Sequence, residues 1–214
     1  MSLMGLTGAH GTGKSTIIQG VGEFGVQTIQ SSLSRTAQAT LGWDSPARAG
    51  DSEENMWQFQ EAILGAMYDR DMSILGDNTL TLVDRTPADV WGYVSLWSHR
   101  LGGADPAHLK DFKNRCRVMA SRYTAHIIVP IHDDVPFVEE QGRADIDSRD
   151  FHEKEICQFI LTGGLTHTVL LQTGIDERVT KVAVMMNTLQ SNLRMFQHHD
   201  KQNKTNYSQI RPVS

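Results

Sequence analysis

Residues 8–15 read GAHGTGKS, a complete GxxxxGK[ST] sequence between a short apolar run and a helical pattern. Its three glycines would let successive backbone N–H groups point at phosphate oxygens. Lys14 would reach the β- and γ-phosphates of a nucleoside triphosphate, and the Ser15 hydroxyl would bind Mg²⁺. The stretch therefore predicts a phosphate-binding loop (P-loop), in which the expected nucleotide contacts are Gly8, His10, Gly11, Thr12, Gly13, Lys14, Ser15 and Thr16.

Strand and helix patterns alternate on both sides of this loop. Apolar or β-branched runs predict five strands, at residues 4–7, 26–30, 79–83, 125–131 and 168–172. Helical patterns begin at Thr16 and recur between the strands, and the last is expected over residues 175–189. This order predicts one α/β domain over residues 1–190 that binds phosphate at the carboxyl edge of a parallel sheet, with residues 191–214 as a loosely attached polar tail.

The third predicted strand ends in Asp84-Arg85-Thr86, followed by Pro87. A carboxylate at the end of a parallel strand beside a P-loop can order Mg²⁺ water or accept a hydroxyl proton, and an adjacent arginine can neutralise a transferring phosphate. Thr86 before Pro87 is also a favourable local start for a helix. Both interpretations hold together if Thr86 caps the helix while Asp84 and Arg85 face the ligand.

Several further side chains are candidates for binding substrate or phosphate. Arg35 follows the second strand, where it would reach an anionic substrate, although an exposed surface arginine is an equal alternative. Phe59-Gln60 would meet a base or sugar, unless these residues serve only the core and surface of a long helix. Arg143 and Arg149 flank a charged segment that would close over the phosphates, or that forms self-paired, solvated charges.

Composition limits the function classes. The 214 residues include 20 basic and 25 acidic side chains, and the resulting net charge of −5 disfavours broad attachment to nucleic acid or to anionic membranes, although a local basic groove stays open. Cys116 and Cys157 lie far apart without a CxxC partner, so neither a disulfide framework nor a zinc site is predicted. With no room for a signal peptide before the P-loop and no membrane-spanning run, a cytoplasmic location is expected.

Taken together, these segments resemble the P-loop nucleoside and nucleotide kinases, in particular the small ATP-binding domains related to nicotinamide riboside, deoxynucleoside and thymidylate kinases. The resemblance rests on GAHGTGKST at 8–16, Arg35, Phe59-Gln60, VDRTPADVWGY at 83–93, the arginine segment at 143–149 and LLQTGIDERV at 170–179. It implies a three-layer α/β fold with a five-stranded parallel sheet, helices on both faces and an arginine-bearing lid at about 139–163.

The resemblance also implies transfer of the γ-phosphoryl group of ATP, with Mg²⁺, to a nucleoside or nucleoside monophosphate. The expected partner is this small molecule, and a homodimer is left open. Carried onto this sequence, the catalytic residues are Lys14, Asp84, Arg85, Arg143 and Arg149, the substrate contacts are Arg35, Gln60 and Arg85, and the metal ligands are Ser15 and Asp84.

The identity of the acceptor stays open at this point. Thr86 stands where thymidylate kinases have an aromatic residue and deoxynucleoside kinases a serine, so the resemblance assigns neither substrate. A kinase acting on a modified base or an end within DNA would use a basic groove, for which the candidates lie on a polar helix predicted at about 106–122: Lys110, Lys113, Arg115, Arg117 and Arg122. A module that hydrolyses ATP without an acceptor is the alternative of another class.

Overall fold

The computed structural model describes residues 3–74, 79–132, 135 and 148–209, with side chains as far as Met195. These residues form five strands, β1 (Leu3–Thr7), β2 (Gln27–Ile29), β3 (Thr81–Asp84), β4 (Ala125–Ile128) and β5 (His167–Val169). They also form seven α-helices, α1 (Lys14–Glu23), α2 (Leu33–Leu41), α3 (Glu53–Ile74), α4 (Pro87–Arg100), α5 (Pro106–Ala120), α6 (Arg149–Thr162) and α7 (Ile175–Gln209), and a 3₁₀ helix, Pro46–Gly50.

The strands form one parallel sheet in the order β2-β3-β1-β4-β5. Strand β1 is central, and Leu6 pairs with Asp84 of β3 on one side and with Ile127 of β4 on the other. The P-loop therefore leaves the sheet between the ends of β3 and β4. The predicted α/β class and five-stranded parallel sheet are confirmed.

Side chains along each strand point alternately to the two faces of the sheet, so the core has two sides. Met4 and Leu6 of β1 pack with α1 and α7 on one face, in a cluster that includes Ile17 and Val182. The larger cluster on the other face joins α3, α4, α5 and α6 through fully buried side chains such as Phe112. This three-layer arrangement covers both faces of the sheet, as parallel sheets require.

Some predicted boundaries are wrong. Helix α1 already begins at Lys14 instead of Thr16, and β4 ends at Ile128 instead of residue 131. The expected end of the last helix at residue 189 is also wrong, because α7 continues to Gln209. No Gly or Pro interrupts residues 190–209, and just past the predicted end Gln190 Oε1 accepts a hydrogen bond of 2.6 Å from the N–H of Leu80.

Most of the predicted arginine segment, including Arg143, falls outside the described residues. Of the predicted lid at about 139–163, the structure describes residues 148–163, and most of these form α6. None of the described helices combines the length and apolar character needed to cross a lipid bilayer.

Candidate active site

The P-loop has the backbone that its glycines predict. Gly8, Gly11 and Gly13 have φ values of 150°, 69° and 84°, a region that favours glycine. A Cβ added to Gly8 would lie 2.3 Å from the carbonyl oxygen of Val129. Any side chain at position 8 would therefore push the loop away from β4.

Lys14 lies inside this loop. Its ammonium group donates to the carbonyl oxygen of Gly8 at 2.8 Å and to Thr12 Oγ1 at 3.2 Å, and it also contacts the carbonyl oxygen of Ala9. The side chain is buried. A buried, positively charged group at the centre of a glycine-rich loop attracts phosphate strongly, because little solvent screens it.

Asp84 and Arg85 lie directly beside the P-loop strand. Asp84 pairs in register with Leu6, and the N–H of Arg85 donates to the carbonyl oxygen of Leu6 at 2.9 Å. The Asp84 side chain is buried, and its Oδ1 has no hydrogen-bond partner within the described part of the chain. A buried carboxylate oxygen without a partner is an unusual feature for a purely structural residue.

Arg85 is the only non-glycine residue among those described with a positive φ, 65°. Its guanidinium lies 3.4 Å from Asp89 Oδ1 and 5.6 Å from the centre of the Tyr93 ring. Burial alone would lower the pKa of Arg85, but the neighbouring Tyr93, Asp89 and Asp84 outweigh it and raise the pKa above its ordinary value. Arg85 therefore presents a permanent positive charge next to the Asp84 carboxylate.

Asp89 joins the P-loop to the start of α4. One carboxylate oxygen accepts hydrogen bonds from Thr7 Oγ1 at 2.7 Å and the N–H of Thr86 at 2.8 Å, and the other accepts one from the N–H of Gly8 at 3.3 Å. Thr86 in turn caps α4 by accepting from the N–H of Ala88, as predicted. Asp89 was not predicted as a site residue, although the spacing Thr-x-x-Asp is that of a capping box.

Two buried arginines contact the P-loop from other elements. Arg149, the first residue of α6, donates to the carbonyl oxygen of Gly11 at 3.2 Å. Arg178 of α7, which was not predicted, donates to the carbonyl oxygens of Thr12 at 3.3 Å and Gln172 at 2.7 Å. Arg149 was expected on a mobile segment, but it lies on a helix that packs against the loop.

A pair of histidines lies between the P-loop and α6. His10 stacks on His152 with their ring centres 6.3 Å apart, and His152 also packs on Tyr93 at 4.1 Å. His152 Nε2 lies 3.3 Å from the carbonyl oxygen of Asp89, and complete burial lowers the pKa of His152 to about 3. The His152 ring is therefore neutral at ordinary pH.

The predicted substrate contacts differ in their placement. Gln60 is buried on α3, and its Oε1 has no hydrogen-bond partner among the described residues, which leaves an acceptor available. Phe59 stacks on Trp43 with ring centres 5.4 Å apart, so it serves the core. Arg35 is exposed on α2, where the described residues give it no hydrogen bond or ion pair, so its predicted substrate contact has no structural support.

Arg70 of α3 occupies a place near the one expected for Arg35. It donates to Ser31 Oγ, after β2, at 2.9 Å and to the carbonyl oxygen of Asp84 at 2.6 Å. No short sequence motif marks Arg70, because its partners outside α3 lie after β2, at the end of β3 and at Tyr123 after α5. Only the fold brings these segments to Arg70.

The basic cluster of α5 is largely engaged with neighbouring side chains. Arg115 pairs with Glu61 and Asp111, Arg117 donates to Thr162, and Lys113 lies 4.5 Å above the Trp91 ring. Charges already used in this way offer little to a phosphate backbone. The arrangement gives no support to a DNA-binding groove on α5.

Among the described residues, both expected metal ligands carry oxygen donors. Ser15 is exposed at the first turn of α1, and Asp84 carries the carboxylate oxygen without a partner. Hydroxyl and carboxylate oxygens are the ligands that Mg²⁺ prefers, and in kinases one or two of them suffice because the phosphates supply others. Groups of three or more His, Cys, Asp or Glu side chains suited to a metal do not occur in the described ranges.

Comparison with known proteins supports the same fold. The deoxyadenosine kinase of M. mycoides, in a structure with dCMP and a flexible dCDP, superposes with a TM-score of 0.62 at 15% identity, covering 88% of this chain and 99% of the kinase. Its dATP-bound structure gives a TM-score of 0.64 at 13% identity, covering 87% and 98%. The predicted resemblance to P-loop kinases is thus confirmed at the level of the fold.

A third similar structure is the NadR protein in complex with NR, with a TM-score of 0.60 at 14% identity. The match covers 85% of this chain and 49% of NadR. Among curated proteins, no sequence matches this chain significantly. The family model described as an AAA domain matches residues 4–178, so the chain belongs to the AAA-domain family of P-loop proteins.

Proposed function

We propose that this protein is an ATP-dependent kinase that transfers the γ-phosphoryl group to a nucleoside or a nucleoside monophosphate. One observation carries the proposal. The buried Asp84 carboxylate has an oxygen without a partner, and it lies at the end of the strand that pairs with the P-loop strand. A residue that only stabilised the fold would be expected to have both carboxylate oxygens engaged.

Each residue of the site would have a separate task in the transfer. Asp84 would accept the proton of an acceptor hydroxyl while the hydroxyl oxygen attacks the γ-phosphorus. The bond between this phosphorus and the ADP oxygen then breaks, and ADP leaves. Lys14 and Arg85 would stabilise the negative charge on the transferring group, and Arg149 would hold the P-loop from α6.

Ser15 would bind Mg²⁺ together with the phosphates, and Asp84 would order a water of the ion, which leaves its carboxylate able to act as the base. Bound there, the ion would neutralise charge on the β- and γ-phosphate oxygens. The Gln60 amide oxygen would accept a hydrogen bond from the nucleoside or monophosphate. Its buried Oε1 has no partner within the described chain.

Between the two acceptor classes, the unpartnered carboxylate favours a hydroxyl. A monophosphate is already ionised and needs no strong base, and a carboxylate close to it would repel it. A nucleoside hydroxyl gains directly from a base in this position. We therefore expect nucleosides to be better acceptors than monophosphates.

A labelled-phosphate assay tests the proposal. The protein is incubated with γ-labelled ATP and, in turn, nucleosides, nucleoside monophosphates and duplex DNA, and the labelled product is identified by chromatography. We expect label on a nucleoside, and a loss of about a hundredfold or more in kcat for Asp84→Asn. Asp69→Asn, which changes an exposed carboxylate on α3, is the matched control and should retain wild-type kcat.

Three outcomes would count against the proposal. Label released only as inorganic phosphate would favour a module that hydrolyses ATP without an acceptor. Label on DNA, with an affinity that falls steeply with salt, would favour the DNA kinase. Wild-type kcat in Asp84→Asn would remove Asp84 from the mechanism.

A further inference from the structure

Arg70 of α3 is the centre of a buried cluster of polar side chains beneath the Asp84-Arg85 peptide. Its guanidinium donates to the carbonyl oxygens of both residues, at 2.6 Å for Asp84 and 3.2 Å for Arg85. It also donates to Ser31 Oγ at 2.9 Å. One planar group thus connects the end of β3 to the segment that follows β2.

Asp71 and Tyr123 hold Arg70 in this orientation. Asp71 Oδ1 accepts from Arg70 Nε at 2.9 Å and from Nη2 at 2.8 Å, so two donors of the guanidinium converge on one carboxylate oxygen. The Tyr123 hydroxyl accepts from Arg70 at 2.9 Å and donates to Asp71 Oδ2 at 2.6 Å. Burial raises the pKa of Tyr123 well above its ordinary value, so the phenol keeps the proton that it donates.

The cluster surrounds an uncommon backbone conformation at Arg85. Arg85 has a φ of 65°, in the left-handed region that residues with a Cβ rarely adopt. In this conformation the carbonyl oxygens of Asp84 and Arg85 both point at Arg70, while the N–H of Arg85 bonds to Leu6 of β1. Without partners for these carbonyl oxygens, the peptide would relax towards a commoner conformation and would move both side chains.

The charge of Arg70 is already committed within the cluster. Its partners are the Asp71 carboxylate, two carbonyl oxygens and two hydroxyls, and its side chain is only 7% exposed. A guanidinium bonded in this way has little left to offer a phosphate group. Arg70 therefore differs from Arg85, whose guanidinium lies near Asp89, the carboxylate that accepts a hydrogen bond from the N–H of Gly8 in the P-loop.

We propose that Arg70, held by Asp71 and Tyr123, is a positioning residue that sets the Asp84-Arg85 peptide in the conformation needed for phosphoryl transfer. The inference rests on the proposed function, since it assigns Arg70 a role in the transfer step. It acts only through the backbone of Asp84, the last residue of β3, and of Arg85, which follows it. It should therefore affect kcat and leave the ATP site unchanged.

Steady-state kinetics of Arg70→Lys provide the first test. Lysine keeps the positive charge but loses the planar fork that reaches two carbonyl oxygens and Asp71 together. We expect kcat to fall by about tenfold or more, because small displacements of catalytic groups have effects of this size, while the KM for ATP stays within about twofold. Tyr123→Phe, which keeps the ring and loses only the hydroxyl, should lower kcat in the same direction by about threefold.

Arg115→Lys is the matched control. Arg115 also pairs through two hydrogen bonds with a carboxylate of α3, Glu61, but among the described residues it has no hydrogen bond or ion pair to β3. This substitution should leave kcat unchanged. The three variants are compared under conditions in which the same fraction of each protein is folded. If kcat of Arg70→Lys and of Tyr123→Phe equals kcat of Arg115→Lys, the inference is wrong.

A second readout does not depend on activity. The second readout is the crystal structures of Arg70→Lys and Tyr123→Phe. We expect φ of residue 85 to leave the left-handed region at least in Arg70→Lys. An unchanged residue 85 and Asp84 side chain in both variants would overturn the inference, whether or not the protein is a kinase. Failure of the proposed function is recognised separately, by the absence of any labelled acceptor with the wild-type protein.

Discussion

At the scale of single residues, the site depends on charges that are buried with defined partners. Lys14 contacts oxygens of its own loop, Asp89 ties that loop to α4, and Asp84 keeps one oxygen without a partner among the described residues. Low local dielectric strengthens each of these interactions, so that a phosphate entering the loop would meet strong and oriented electrostatics. Substitutions here should affect the chemistry more than the fold.

Lys14→Ala is the simplest residue-scale prediction. Removing the ammonium should reduce kcat/KM for phosphoryl transfer by about a thousandfold, because it takes away the charge that stabilises the γ-phosphate. The circular dichroism spectrum and the melting temperature should stay close to those of the wild type. Lys110→Ala, an exposed lysine on α5, should change neither activity nor stability.

Retained phosphoryl transfer in Lys14→Ala would contradict the role of the P-loop in the mechanism. An unfolded variant would be seen in the circular dichroism spectrum. In that case Lys14→Met, which keeps most of the buried aliphatic length, repeats the test with a smaller change in packing.

The sequence revealed those residues whose chemistry depends on local spacing. The P-loop and Asp84-Arg85 could be located because a motif or a strand end marks them. Arg70 and Arg178 could not, since their partners come from segments far apart in the chain. Asp89 lay between these cases, because its capping-box spacing is visible but its bond to the N–H of Gly8 requires the packing of β1 against α4.

At the scale of elements, α6 is fixed to the P-loop and to α4. Arg149 reaches Gly11, and His152 packs between His10 and Tyr93. Gly92 of α4 makes this approach possible, because a Cβ there would lie 2.4 Å from His152 Cδ2. The start of α6 is therefore held against both the P-loop and α4.

The buried His152 predicts that acid destabilises the fold. Its pKa is about 6.5 in the unfolded chain and about 3 in the folded one, so below pH 6.5 the unfolded state binds the additional proton. The stability contributed by the neutral ring is complete above pH 6.5 and declines as the pH falls towards 3. The slope should be about 1.4 kcal/mol per pH unit in the middle of this range.

Urea denaturation at several pH values between 4.5 and 7.5 measures this slope. His152→Leu should have a shallower dependence than the wild type, although burial also lowers the pKa of His126 and leaves a residual slope. His167→Leu replaces an exposed histidine and should keep the slope of the wild type. Equal slopes in all three proteins would mean that His152 is not neutral in the folded state.

The order and type of the elements followed from periodicity, but several of their ends did not. Helix α1 begins at Lys14 because the loop backbone turns directly into the helix at Gly13. The continuation of α7 past residue 189 has two physical reasons, which the polar composition of this segment did not indicate. One is the absence of a helix breaker, and the other is the packing of Leu193 against the α1–α7 side of the core.

At the scale of the whole molecule, the topology brings the two halves of the site together. The order β2-β3-β1-β4-β5 sets the P-loop strand beside the strand that carries Asp84, and the register places Leu6 opposite Asp84. The sequence predicted this proximity from the rule that parallel strands present their carboxyl ends at one edge. The net charge of −5 and the engaged basic side chains of α5 fit a small acceptor better than a nucleic acid.

Binding of a bisubstrate analogue is the most direct test that the P-loop and Asp84-Arg85 form one transfer site. The compound joins adenosine through five phosphates to the acceptor that the labelling assay identifies. We predict competition with both ATP and the acceptor, and an affinity about a hundredfold or more above that of ATP, because both ends bind at once. Competition with ATP alone, at an affinity no higher than that of ATP, would contradict a single transfer site.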